Sequence, residues 1–151
     1  MRIKLLQLVE VIRKEKKNAQ RITEGTKQSA IEAAKTAQVS YSAAGDRYHA
    51  AGSAYIAEER SKRLENLYLE LKQFVDQSSK EEISVPSYIK VNFGGEIKEL
   101  YLVKNPTFLD QYQLISKSSP IGSLLLGKKP GDVVVFNADN KRTKIEILEV
   151  E

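Results

Sequence analysis

Apolar positions in the first 77 residues recur every three or four places. Leu5, Leu8, Ile12, Ala19, Ile22 and Ala33 follow a 3,4 alternation, with Glu15, Thr26 and Ser29 as weak positions. Ala50, Ala57, Leu64, Leu67, Leu71 and Phe74 form a second seam, interrupted by Ser53 and Arg60. Such a period predicts two long helices meeting along a heptad-like line. Between them lies Ser40-Tyr41-Ser42-Ala43-Ala44-Gly45-Asp46, the stretch with turn chemistry. A short turn there makes the helices antiparallel neighbours, a hairpin about 45–55 Å long at 1.5 Å per residue. Ala43 and Ala44 also fit as a continuation of the first helix. The seam is graded in size. Leu, Ile and Phe stand near its open end, and Ala, Ser and Gly near the turn. Small side chains allow close approach but bury little apolar area, at about 25 cal/mol per Å². The pattern therefore predicts a thin, weakly held tip. The plain alternative is that Ala, the best helix former, simply fills exposed surface.

Past Ser78 the period shortens. Tyr88 to Phe93 partly alternates, Gly94-Gly95 reads as a hairpin turn, and Glu96 to Val103 reads as the return strand. Tyr112 to Ser116, Asp132 to Phe136 and Thr143 to Val150 read as further strands, the last two joined at Asp139-Asn140. One helix interrupts them. Ser119 suits its cap, Pro120 its first turn, and Gly127 its end after Leu124-Leu125-Leu126. The expected fold is α+β: an N-terminal antiparallel helical hairpin at 1–77, a linker at 78–86, and a small antiparallel β domain with one short helix at 87–151.

Composition sharpens that division. Residues 1–77 lack Pro and hold 14 basic and 10 acidic residues; residues 78–151 hold all four Pro and 10 of each charge. The chain contains no Cys and one His. This excludes a disulfide scaffold, a Cys zinc site and thiol catalysis, and makes a His-built metal centre a poor expectation. No apolar run approaches the roughly 20 residues of a membrane span. The basic, apolar start runs straight into charge, so no signal peptide is read, and a cytoplasmic monomer is expected.

Candidate chemistry is sparse. No phosphate loop, nucleophile elbow or metal-ligand cluster is present. Arg13-Lys14-Glu15-Lys16-Lys17 with Arg21 could touch nucleic acid, although a basic run is more often a solvated helix face. His49 beside Tyr48 has no partner carboxylate in sequence and reads as a packing or hydrogen-bonding residue. Asp46 is the only acidic residue between Glu32 and Glu58. It suits either a helix N-cap or a single Mg²⁺ ligand.

The segment Ile115-Ser116-Lys117-Ser118-Ser119-Pro120-Ile121-Gly122-Ser123-Leu124-Leu125-Leu126-Gly127-Lys128-Lys129-Pro130-Gly131-Asp132-Val133-Val134 resembles the signature of the GreA/GreB transcript-cleavage factors. The closing run Ile145 to Val150 is similar to that family's last strand, and Tyr48-His49-Ala50-Ala51 to the motif that opens its second coiled-coil helix. The resemblance implies an FKBP-like C-terminal domain that docks on RNA polymerase at the secondary channel. There Ser118, Ser119, Pro120, Ile121 and Gly122 would form the docking turn. It also implies a coiled coil that enters the channel, with acidic tip residues helping to hold the Mg²⁺ of the polymerase active site. Any RNA cleavage would then occur in the polymerase, the factor bringing no cofactor of its own and meeting nucleic acid only indirectly.

Tyr41, Ser42, Ala44, Gly45 and Asp46 are the tip residues on this reading. Counted back from Tyr48 without a gap, the two acidic places of the family hold Tyr41 and Ala44; with a deletion, Gly45-Asp46 aligns and the second acid is missing. Asp46 is the one candidate metal ligand, and weak cleavage stimulation is the expectation. The alternatives are a working cleavage factor that uses Asp46 alone, or an adaptor that kept the fold and no longer binds polymerase.

Overall fold

The computed structural model describes residues 2–36, 41–78 and 80–151, with backbone alone at 41–43. The elements are α1 (Ile3–Thr36), α2 (Tyr41–Lys72), β1 (Ser87–Phe93), β2 (Glu96–Val103), β3 (Gln113–Ser116), α3 (Pro120–Leu125), β4 (Val133–Ala138) and β5 (Lys141–Val150). The chain divides into two compact units: Met1–Glu10 with Leu67–Glu151, and Val11–Asn66. The division thus runs through the two long helices and not between residues 77 and 78. The outer turns of the helices belong with the β domain.

Within Val11–Asn66 the helices run antiparallel. Ile12, Ala19, Thr23 and Leu64 are buried. The seam differs from the sequence reading beyond Ala19: Ile22 is about half exposed, and Thr23 takes the inward place. Thr23 can do so because its hydroxyl is satisfied twice, bonding the Ala19 carbonyl at 2.8 Å and, across the hairpin, the Ala57 carbonyl at 3.1 Å. Lys16–Glu65 at 2.7 Å and Arg60–Glu15 at 3.4 Å bridge the helices farther down. Among the described residues from 24 to 36 and 44 to 63 none is fully buried, and Ala30, Ala33, Ala50 and Ala54 are only half-buried. The graded seam therefore behaves as its residue sizes dictate.

The other unit centres on a five-stranded sheet in the order β3-β2-β1-β5-β4. It is mixed rather than purely antiparallel, because β3 runs parallel to β2 after the loop 104–112 carries the chain back. Two tight turns set the register of the antiparallel part. Gly94-Gly95 have φ of 61° and 99°, and Asp139-Asn140 have φ of 49° and 61°, the left-handed pair that matches strand twist in a two-residue hairpin. One sheet face buries Ile89, Val91, Leu100, Leu102, Val134, Ile145 and Ile147 with Leu125 of α3 and Ile83. Ile83, assigned to the linker from sequence, is fully buried, and its amide and carbonyl pair with Lys128 and Gly127. Pro86 is buried as well.

The opposite face carries Tyr88 and Tyr101, whose rings meet edge-on at 5.3 Å. The first turn of α1 lies here. Lys4 Nζ sits 5.1 Å above the Tyr88 ring and 3.3 Å from Glu99. The Glu151 carboxylate accepts from the amides of Lys4 and Leu5, so a residue far along the chain caps the open N-terminus of α1. Arg2 is buried, with Nη1 donating to the Pro86 carbonyl at 2.7 Å and Nε unpaired. Burial lowers its pKa while Glu151 acts to raise it.

Candidate functional site

The turn into α3 is built by one serine and one glycine. The Ser119 hydroxyl donates to the Ser116 carbonyl at 2.7 Å and accepts from the Gly122 amide at 3.0 Å. Its backbone is extended, with φ −71° and ψ 157°, which is N-cap geometry. Pro120 occupies the first turn, where its missing N–H costs nothing. A methyl on Gly122 would lie 2.0 Å from the Ser116 carbonyl oxygen, so only glycine lets the helix cross the end of β3 this closely. At the other end Leu126 N–H bonds the Gly122 carbonyl at 3.1 Å and Gly127 N–H bonds Ile83 at 2.8 Å.

Of the candidate docking residues, Ser118 and Pro120 are exposed, Ser119 and Ile121 half-buried, and Gly122 buried. Ile121 packs on the sheet core, so its side chain serves the fold as well as any partner. The first-turn amides of α3 are mostly used within the chain: the Gly122 amide goes to the Ser119 hydroxyl and the Ser123 amide to the Ser119 carbonyl.

The residues expected to form the turn are helical from Tyr41 on. Tyr41, Ser42, Ala43, Ala44, Gly45 and Asp46 all belong to α2. Ser40, the remaining residue of the expected turn, lies outside the described residues. Asp46 is thus not an N-cap, because the helix begins five positions before it. The Tyr48-His49-Ala50-Ala51 motif is helix interior and not helix start. The misreading has a physical source: Gly45 and Asp46 are poor helix formers, and a neighbour-blind reading breaks the helix at them. Ala44, Gly45 and Asp46 are exposed, as are Tyr48 and His49, whose rings stand edge-on 6.1 Å apart. Among the described residues no group of three or more His, Cys, Asp or Glu comes together. A single monodentate carboxylate does not fit a resident Mg²⁺, which seldom yields its water to one ligand.

The basic run is divided. Lys16 turns to Glu65. Lys14, Lys17 and Arg21 are exposed, with Arg21 bonded to Asn18 Oδ1 at 2.9 Å. Lys17, Asn18 and Arg21 line a shallow surface hollow.

Residues 78–151 match the family model described as "Transcription elongation factor, GreA/GreB, C-term". Residues 78–151 belong to the GreA/GreB C-terminal family. This domain contains both the Ser116–Gly122 turn and the strand that delivers Glu151. The chain is similar to transcription elongation factor GreA of Clostridium novyi, 37% identical over 97 residues, covering 62% of this chain and 60% of that protein. It is also similar to GreA of Alkaliphilus oremlandii, 41% identical over 71 residues, covering 45% and 44%. The matches thus span about half the length of these curated relatives. Among solved structures, Thermus aquaticus Gfh1 superimposes loosely, with a TM-score of 0.43 and 18% identity over 97% of this chain and 91% of that one.

Three features of the molecule escaped the sequence reading. Thr23 and Glu151 act through partners 34 and 146–147 positions away, and Arg2 through one 84 away. Only the Gly122 requirement had a local signal, the Ser-Pro-Ile-Gly helix start.

Proposed function

We propose that this protein binds RNA polymerase through its C-terminal domain, places the helical hairpin in the secondary channel and regulates elongation, with little stimulation of transcript cleavage. One observation carries the reading: residues 78–151 match the GreA/GreB C-terminal model and keep the Ser118-Ser119-Pro120-Ile121-Gly122 turn, whose exposed members Ser118 and Pro120 face solvent. The weak cleavage follows from donor chemistry. Tyr41 and Ala44 stand where the resemblance puts acids, and Asp46 offers one carboxylate. Any cleavage is the work of the polymerase active site. This chain binds, positions and occupies the channel.

The test adds the full chain in excess to a backtracked elongation complex and follows the RNA 3′ end. Cleavage near the intrinsic rate, with slower nucleotide addition, is expected. Robust cleavage that vanishes in Asp46→Ala overturns the weak-cleavage reading and makes Asp46 a metal-holding residue. Absence of binding to core polymerase overturns the whole reading in favour of an adaptor. Because Ile121 also packs on the core, Ile121→Asp is compared with Ser118→Asp at an exposed site. Both should weaken binding, and Ser118→Asp should do so without loss of stability.

A further inference from the structure

The two edges of the sheet are unlike. β3 has four residues, whereas β4 has six, Val-Val-Val-Phe-Asn-Ala, with neither charge nor proline. The β4–β5 register runs from Val133 to Ala138 without a shift. Exposed edges are ordinarily blunted by charge, proline or a bulge, and β4 has none of the three. Its side chains turned away from the core, Val133 and Val135, are 45% and 47% exposed. The ladder determines which main-chain groups are open. Ile147 N–H donates to the Asp132 carbonyl at 2.9 Å, and antiparallel pairs repeat such bonding at every second residue. Val134 and Phe136 therefore bond to β5, while the amides and carbonyls of Val133, Val135 and Asn137 point out of the sheet.

We propose that β4 pairs antiparallel with β4 of a second copy of this chain, about a two-fold axis at Val135. Val135 then opposes its own symmetry mate, and Val133 opposes Asn137 of the second copy. Every outward amide and carbonyl is used, and side chains on each face stay on that face. Charge supports this register. Glu146 lies beside Val133 and Arg142 beside Asn137, so both ends of the junction bring Glu146 of one copy onto the row of Arg142 of the other. Their long side chains can reach toward each other over Val133 and Asn137. The two Lys144 residues share the central row at the same three-strand spacing of about 14 Å, so one repulsive row faces two attractive ones, and the lysine heads can turn apart into solvent. Residues 78–151 carry 10 basic and 10 acidic residues, so the two domains meet without net repulsion. One short strand edge falls well below the roughly 1,200 Å² of a stable interface. The association is therefore weak, leaving the protein monomeric when dilute and dimeric when concentrated.

Sedimentation of the full chain from about 10 μM to about 1 mM spans the range of such affinities. The mean mass should rise from 17.0 kDa toward twice that value, and amide exchange at Val133, Val135 and Asn137 should slow with concentration. Val135→Lys, at an exposed position, should raise the dissociation constant at least about tenfold. Arg142→Glu should also weaken association, and adding Glu146→Arg should restore it, which keeps the test valid if Val135→Lys misfolds. A constant monomer mass overturns the proposal, as does association indifferent to these changes. A monomer that instead takes up an added extended peptide along β4 also overturns it, and assigns the edge to a different partner.

Discussion

The hairpin segment Val11–Asn66 and the sheet unit are held together by different means. The sheet unit buries a contiguous set of branched and aromatic side chains, with Ile89, Val91, Leu102, Leu125, Ile145 and Ile147 fully enclosed. The hairpin buries Ile12, Ala19, Thr23 and Leu64, then continues on alanines that are half-exposed. At about 1.5–3 kcal/mol for each large apolar side chain enclosed, the sheet unit has a deep reserve. The hairpin depends on helix propensity, one interhelical hydroxyl bond and surface ion pairs. In proteins most helical stability comes from packing an apolar face, and this segment has little of it. The physical lesson is that the two units are stabilised differently: large apolar side chains enclose one another in the sheet unit, whereas small residues leave the hairpin segment little to bury.

Substitutions can test that contrast, the largest effect first. Ile147→Ala removes a fully enclosed side chain from the sheet core and should cost about 2–5 kcal/mol in urea unfolding. A cost no larger than that of an alanine-to-glycine change in the hairpin would erase the distinction between the units. Gly122→Ala should cost about 1–3 kcal/mol, since its methyl would sit 2.0 Å from the Ser116 carbonyl oxygen. Faster hydrogen exchange at the residue-122 amide of the variant than of the parent would show that the Ser119 cap opens.

Thr23→Val deletes the bond to the Ala57 carbonyl while keeping the shape of the side chain, and should cost about 1 kcal/mol. Hydrogen exchange should quicken along the hairpin around Ala57 and leave the sheet unchanged. The smallest effect concerns acid. Burial opposes the charged form of Glu99, but the Tyr88 hydroxyl and Lys4 outweigh it and hold the carboxyl below its usual range. A depressed folded-state pKa contributes stability above the unfolded value, and that contribution is lost as pH falls through the folded value. Glu99→Gln should therefore lower the melting temperature slightly at neutral pH and flatten the acid limb below about pH 4.3. Because Glu99 is about half exposed, the effect should stay within about 1 kcal/mol. Tyr101 does not enter this window, as burial pushes its hydroxyl up to about 12.

Local pattern alone determined much of this molecule. The 3,4 seams marked two long helices, the glycine pair and Asp139-Asn140 marked the hairpin turns, and Ser119, Pro120 and Gly127 marked the ends of α3. Each is a case in which neighbours along the chain decide the backbone. Residues 115–134 also pointed to the family, because a turn that must hold Ser, Pro and Gly at fixed spacing leaves a long written trace. The tertiary structure decided the rest. It moved the inward position from Ile22 to Thr23, because a carbonyl on the other helix could satisfy the hydroxyl. It drew Ile83 out of the linker into the core. It used Glu151 to cap α1 and turned β3 parallel to β2. All of these depend on groups brought together across long stretches of chain, and no local periodicity records which distant carbonyl, amide or apolar surface a residue will meet.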